Sequence, residues 1–461
     1  MQTECLISIA AQCWKDKLAI TDGSKKISYQ ELSELVSKAS FTLLELLPEK
    51  IAQVGLIVEK PFDFIVLFFA LLKLGINVCV LSSKDTKESL SYKLDLTSTK
   101  FLISDKNLNF ENVSILSSDS VLADLSSLDI DSVNFQKYGN IIVFSSGTLG
   151  APKAVIHSLD TFVLGASESN QRLNFTSDDD WLLSLSLSSV AGLTILFRVF
   201  LAGAGLLLPS NLSMDSLCTA FEKYSNFFVS LVPSMVKIIY QEKGLRPKFK
   251  VVLLGGEAID DQVIEIVERF QVKAFNSYGL SETAANVSCT NGNFSEDLKT
   301  VGTSLGSTHI EIVDGEIVLS GPRVCKTWIE PGKKIIETNG RICTGDLGTW
   351  QGDKLVILGR RDRRFISGGV NIDPVEIENF VNRIQGIRAS AVISIKDIKW
   401  GQRPILFIES MRKNNRDLED ITESILSSLG RVKTPERIVC LESFPRTLIG
   451  KIDYQKLKNL L

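Results

Sequence analysis

Several short stretches of this chain carry residue types that can do chemistry. The first is Ser145-Ser146-Gly147-Thr148-Leu149-Gly150-Ala151-Pro152-Lys153, which follows the apolar run Ile141-Ile142-Val143-Phe144. A buried strand that runs into Ser, Gly and Thr and closes on Lys has the parts of a phosphate-binding turn. Glycines let backbone N–H groups approach anionic oxygens, hydroxyls add donors, and the lysine adds a point charge. It is not a Walker A loop, because no Gly-Lys-Ser/Thr follows a glycine at the required spacing. Taken alone, the segment reads equally well as an ordinary Ser/Gly turn.

Two more strand-then-glycine units follow. Val251–Leu254 ends in Gly255-Gly256-Glu257, and Ala274-Phe275-Asn276 ends in Ser277-Tyr278-Gly279-Leu280-Ser281-Glu282-Thr283. In an open α/β sheet, ligands collect outside the carboxyl ends of the strands, so these ends and the first loop are expected to share a crevice. Tyr278 offers a flat face to a base, Ser281 a hydroxyl and Glu282 a hard oxygen for magnesium. Further on, Asp346 in Thr344-Gly345-Asp346 suits the vicinal hydroxyls of a ribose, although an Asp turn between strands explains it equally in isolation. Arg198 lies in the otherwise apolar run Thr194–Leu208. It must pair with a carboxylate of the protein, snorkel, or meet a ligand carboxylate.

The elements that must position these residues are strands and helices in alternation. Val54–Val58, the apolar helix from Pro61 to Leu74 with Gly75 behind it, and Val78–Leu81 predict a parallel sheet with helices on its faces. Asp178-Asp179-Asp180 reads as a solvated turn before a strand. From about residue 295 to 359, short strands broken by glycines predict a small β subdomain. The charged junction Gly359-Arg360-Arg361-Asp362-Arg363-Arg364, followed by Ser367-Gly368-Gly369 and a fresh βα pattern, marks a domain boundary. The expected organisation is α/β: a large domain of doubly wound sheets over 1–359, a hinge at 360–362, and a small mobile α+β C-terminal domain over 363–461.

Composition bounds the function. The 461 residues are 44% hydrophobic and 23% charged, with a net charge of −3, which argues against a basic nucleic-acid surface. Eight cysteines without a C-x-x-C, and two histidines, argue against zinc and for reduced thiols in a cytosolic core. No basic stretch precedes an apolar run at the start, and Phe64–Leu72 is too short to span a bilayer. A cytoplasmic protein without an integral membrane segment is expected, and a homo-oligomer is compatible with these features.

The order and spacing of the motifs resemble the adenylate-forming superfamily of acyl-CoA synthetases, adenylating domains and luciferases. That order is the Ser/Thr/Gly loop with Lys, Tyr-Gly-x-Ser-Glu, Thr-Gly-Asp, Gly-Arg-x-Asp, Ser-Gly-Gly, and Pro-Arg-x-x-x-Gly-Lys ending at Lys451. The resemblance implies ATP, magnesium and coenzyme A as reactants and cofactor, and a carboxylic acid as substrate. It implies that Ser145, Ser146, Gly147, Thr148, Gly150 and Lys153 cover the phosphates. Gly255, Gly256 and Glu257 would line the adenine site, with Tyr278 stacked on the base. Ser281 would touch phosphate, Glu282 would hold magnesium, and Asp346 with Arg360 would bind the ribose. Asp362 would be the hinge, Gly368 and Gly369 would line a pantetheine tunnel, and Lys451 would bridge the carboxylate and the α-phosphate.

Trp181–Leu185, Ala191–Arg198 and Asp397–Gln402 are similar to the o-succinylbenzoate–CoA ligases of menaquinone and phylloquinone biosynthesis. That likeness implies an acyl pocket at Ser189, Gly192, Arg198 and Ser277, with Arg198 on the substrate's second carboxylate. The chain departs from the usual pattern at Ser145, Leu149 and Ala154 in the loop. It departs again at Ser186, Ser188 and Ser189, where the family usually has Pro, an aromatic and His. A ligase for another aromatic or aliphatic acid, and a degenerate nucleotide-binding homologue, stay open as alternatives. An amino-acid-adenylating enzyme fits less well, because no Asp stands between Trp181 and Arg198 to pair an amino group.

Overall fold

The computed structural model describes residues 5–123, 125, 138–146, 151–292, 295–410, 415–446 and 452–461. The strand–helix alternation builds two large sheets. In the first, Leu18–Thr21, Gly205–Leu207, Asp180–Leu182, Phe227–Leu231, Phe249–Gly255 and Ala274–Leu280 lie side by side and parallel. In the second, Ser114–Ser117, Phe101–Ser104, Gln53–Ile57, Asn77–Val80 and Ile141–Ser146 are parallel, and Pro152–His157 returns antiparallel beside the last of them. The doubly wound α/β expectation holds.

Helices fill the space between the sheets. In Pro61–Lys73 every residue from Phe64 onward is buried, as a helix apolar on all sides must be. Its Phe69 meets Phe197 and Phe200 of the helix Val190–Ala202, with ring centroids 5.9 and 5.7 Å apart. Phe197 in turn stacks at 4.8 Å on Phe162 of the helix Leu159–Leu173. One apolar cluster thus joins Val54 and Val78 of the second sheet to Trp181 and Phe228 of the first. At the edge of this layer, Ser28 and Glu31 form the capping box that starts the helix Tyr29–Leu46.

The short-strand region divides. His309–Val313, Glu316–Ser320, Arg341–Gln351 and Lys354–Arg360 form an antiparallel sheet of their own. Thr327–Glu330 and Lys334–Glu337, between them in sequence, instead extend the second large sheet beside Pro152–His157. Strand texture reports local conformation and not which edge a strand joins. The acidic triplet also differs from a solvated turn: Asp179 is buried and pairs with Lys250.

The C-terminal region folds around the antiparallel pair Ala389–Asp397 and Gly401–Glu409, with Arg437–Leu441 parallel to the latter. Helices Pro374–Val381 and Asn415–Leu429 flank it. Its two buried apolar clusters contain only residues from 365 onward, and the other four contain none of these.

A buried ion pair ties the large domain together. Arg323 is fully buried, bonds Glu168 at 2.9 Å and donates to the Asn286 carbonyl at 2.7 Å. Removing one partner leaves the other charge without compensation, which costs far more than the pair itself contributes. Arg323→Met is therefore expected to lower unfolding stability by about 3–5 kcal/mol in urea denaturation. A loss under about 1 kcal/mol would show that the pair is not structural.

Candidate active site

Three strand ends meet where the two large sheets adjoin. Phe249–Gly255 and Ala274–Leu280 run side by side, and Ser281-Glu282 after the latter lies against Pro152–His157, the strand paired with Ile141–Ser146. Two bonds hold the sheets in this register. The His157 ring donates from Nε2 to the Ser281 carbonyl at 2.6 Å, and Cys325 N–H donates to the Glu282 carbonyl at 2.7 Å. Burial pushes the His157 imidazole down to about 4, so at neutral pH it is an uncharged donor.

At this junction Lys153 Nζ lies 2.5 Å from the Glu282 carboxylate and 4.3 Å from the centre of the Trp328 ring. Trp328 comes from the strand that joined the second sheet, and its place beside Lys153 could not be read from its own sequence surroundings. Next to them, Ser145 Oγ is buried and has no hydrogen-bond partner among the described residues. A buried hydroxyl without a partner is costly unless a ligand satisfies it, as phosphate oxygens would. For Ser146 only the backbone is described, and Gly147, Thr148, Gly150 and Lys451 lie outside the described residues.

A second cluster surrounds Asp346. Its carboxylate accepts from Tyr278 Oη at 2.6 Å and from Arg360 at 3.1 Å. Burial, with the Asp346 charge next, holds the Tyr278 phenol well above its ordinary value, so it remains a donor. Arg360 also bonds both carboxylate oxygens of Asp362, at 3.1 and 3.0 Å. Across this joint the side chains divide by domain. Arg361 pairs with Glu316 of the large domain at 2.8 Å, whereas Arg363 and Arg364 pair with Glu378 and Asp373 beyond it, at 2.5 and 2.8 Å. Asp362 is the residue between the two sets. The sequence placed these arginines but gave no sign of their partners.

The remaining site residues have defined surroundings. Gly256 adopts φ +84°, which favours glycine, and a side chain at Gly255 would crowd Ser277 Oγ. The Glu257 carboxylate accepts from Ser234 N–H at 3.2 Å. The Ser277 hydroxyl donates to the Leu254 carbonyl at 2.8 Å. Ser189 caps the helix Val190–Ala202: its Oγ accepts from Gly192 N–H at 3.1 Å and donates to the Ser186 carbonyl at 2.7 Å. Both hydroxyls are thus engaged with backbone. At Gly192 a Cβ would lie 2.1 Å from the Ser186 carbonyl oxygen, so only glycine fits there. Gly368 packs against Trp400 of its own domain, and Gly369 faces open space.

Arg198 is buried with neutral partners. Its Nε donates to Ser169 Oγ at 3.0 Å, one NH2 group donates to Asn286 Oδ1 at 2.8 Å, and the guanidinium lies 5.2 Å from the Trp181 ring centre. Burial pulls it down to about 9, and no carboxylate is among the groups that bear on it.

Glu282, paired with Lys153, supplies one carboxylate at this junction, and among the described residues no group of three or more His, Cys, Asp or Glu could hold a metal. That fits magnesium, which binds through one or two carboxylates plus substrate phosphates, and does not fit a cage built by the protein. Among the described residues no helix is long and apolar enough to cross a membrane.

Comparison with known proteins agrees with this geometry. The model of the AMP-binding enzyme family matches residues 7–328, and that of the AMP-binding enzyme C-terminal domain matches 376–451. The 2-succinylbenzoate–CoA ligase of Staphylococcus epidermidis is 26% identical over 465 residues, covering 97% of this chain and 96% of that protein. The protein of the same name from Listeria monocytogenes is 28% identical over 458 residues, covering 96% of each. Among solved structures, o-succinylbenzoate CoA synthetase from Bacillus subtilis in complex with the acyl-adenylate intermediate superimposes with a TM-score of 0.87 at 23% identity, covering 98% of each chain. The same enzyme in complex with ATP and magnesium gives 0.87 at 22%, covering 98% of this chain and 99% of that one. With both family models matched in order, the first over more than half of the residues, the chain belongs to the AMP-binding enzyme family.

Proposed function

We propose that this protein is an ATP-dependent, AMP-forming acid–coenzyme A ligase, and that its acid is o-succinylbenzoate. The observation that carries the ligase reading is the pairing of Lys153 with Glu282 beside Ser145, at the same crevice as the Asp346 cluster. These are a cation for phosphates, a carboxylate for magnesium and a carboxylate for ribose hydroxyls. The relatives' names support the acid, and so does Arg198, a buried cation without an anionic partner among the described residues. O-succinylbenzoate has two carboxylates, one to react and one to pair with that guanidinium.

The residues then act as follows. Lys153 exchanges Glu282 for the β- and γ-phosphates, which frees the Glu282 carboxylate for magnesium. When bound, magnesium neutralises phosphate charge as pyrophosphate departs. Asp346, already oriented by Tyr278 and Arg360, accepts the ribose hydroxyls. The substrate carboxylate attacks the α-phosphorus, the bond to pyrophosphate breaks, and an acyl-adenylate forms, with Lys451 stabilising charge at the α-phosphate. The C-terminal domain turns at Asp362, withdraws Lys451 and presents the Gly368-Gly369 face. The coenzyme A thiolate then attacks the acyl carbonyl, and AMP leaves. One site thereby runs two half-reactions with conflicting demands.

The serines of the substrate strand favour a second reading. Ser186 and Ser188 bond each other at 2.8 Å, and Ser189 is occupied as a helix cap, so this wall differs from the pattern usual in o-succinylbenzoate ligases. A ligase for another aromatic or aliphatic acid follows from that reading.

AMP release with coenzyme A decides between them when measured across o-succinylbenzoate, benzoates, cinnamates, fatty acids and amino acids, with thioester mass as confirmation. O-succinylbenzoate is expected to be the best substrate, and preference for a monocarboxylate would overturn the assignment of the acid. Arg198→Leu is expected to raise KM for o-succinylbenzoate by about tenfold or more, and an unchanged KM would remove Arg198 from the pocket. Lys451→Ala is expected to abolish adenylation while sparing thioester formation from preformed adenylate. Equal loss of both half-reactions would contradict its assigned role.

A further inference from the structure

The two domains meet through polar contacts. The Lys237 ammonium reaches the Arg388 carbonyl at 3.3 Å, the Gln262 amide reaches the Asn382 carbonyl at 3.1 Å, and Arg383 pairs with Asp261 at 3.0 Å. No buried apolar cluster among the described residues spans the boundary. Contacts of this kind are weak individually, so a single better-placed charge can decide which orientation prevails.

Glu257 sits at this boundary with an imbalance. One oxygen accepts from Ser234 N–H, while the other, Oε1, is buried and has no hydrogen-bond partner among the described residues. The cation facing Oε1 comes from the C-terminal domain: Arg446, 3.7 Å away and itself held by Glu409 at 2.9 Å. Arg446 is fixed on a stem. It bridges to Ile452, and Asp453 N–H donates to the Pro445 carbonyl at 2.8 Å, so the stem brackets the residues that include Lys451. Tyr454 follows on the same stem. Its phenol is raised by burial first, and the Glu257 charge also raises it.

We propose that Arg446 is a positioning residue for the adenylation half-reaction. Its guanidinium supplies the counter-charge to Glu257 and so favours the domain orientation in which this stem faces Glu257. Rotation about Asp362 carries Arg446 away and leaves the Glu257 carboxylate uncompensated, which biases the equilibrium toward the orientation described. Arg446 acts through the domain orientation, so its effect falls on one half-reaction. The inference rests on the reading of this site as an acid–coenzyme A ligase.

The test measures the half-reactions separately in the full-length protein. The first is acid-dependent exchange of pyrophosphate into ATP, and the second is thioester formation from synthetic o-succinylbenzoyl adenylate and coenzyme A. Exchange by the unaltered protein checks the ligase reading on its own. Given that exchange, Arg446→Met is expected to lower it by about tenfold or more, as loss of a partner to a desolvated charge does. Thioester formation should be unchanged or faster, and Arg446→Lys should recover most of the exchange. Glu257→Gln makes the same test from the other domain: in that background Arg446→Met should cost less than about threefold, because the charge it served is gone. Exchange unaffected by Arg446→Met, equal loss of both half-reactions, or the same cost in the Glu257→Gln background would each overturn the proposal.

Discussion

One guanidinium, that of Arg360, holds two carboxylates with different duties. Arg360 bonds Asp346, to which the proposed function gives the ribose hydroxyls, and Asp362, to which it gives the joint between the domains. Both carboxylates, with the Asp362 bonds foremost, raise Arg360 above its ordinary value, so it stays charged throughout the reaction. The shared cation lets two acids stand close together without mutual repulsion. It also joins the proposed ribose-binding group and the proposed pivot in one hydrogen-bonded unit. The arginines on either side complete the arrangement: Arg361 binds into the large domain, and Arg363 and Arg364 into the smaller one. In the proposed function this division concentrates bending at a single residue, as a hinge between two rigid bodies requires.

The same logic of provisional partners runs through the crevice. Lys153 and Glu282 neutralise each other, and in the proposed function each exchanges that partner for a phosphate or a metal of matching charge. The attraction within such a pair offsets part of the desolvation cost of holding two charges in a partly buried site. The boundary between domains is built likewise from polar contacts, with the apolar clusters confined to either side. A shared apolar core would fix one orientation, whereas exchangeable charge pairs permit two.

Much of this was legible in the sequence, for physical reasons that can be named. The strand-to-glycine transitions at Ser145, Gly255 and Ser277 are local signals, and so are the Thr-Gly-Asp turn and the charged joint, because turn chemistry is set by neighbouring residues. What stayed hidden depends on partners distant in sequence. Trp328 reaches Lys153 only because its strand joins the edge at Pro152–His157, an outcome of sheet assembly that strand propensity does not encode. Arg323 and Glu168 lie 155 residues apart and carry no mutual mark. The hydroxyls of Ser189 and Ser277, expected in the acyl pocket, are engaged with backbone, a competition visible only once the backbone is placed.

The central claim is that these charge pairs form a site which activates a carboxylic acid with ATP. Exchange of radiolabelled pyrophosphate into ATP, measured without coenzyme A and with and without o-succinylbenzoate, tests it most directly. The account predicts exchange that requires the acid. No exchange with any acid, or exchange indifferent to its presence, would contradict it.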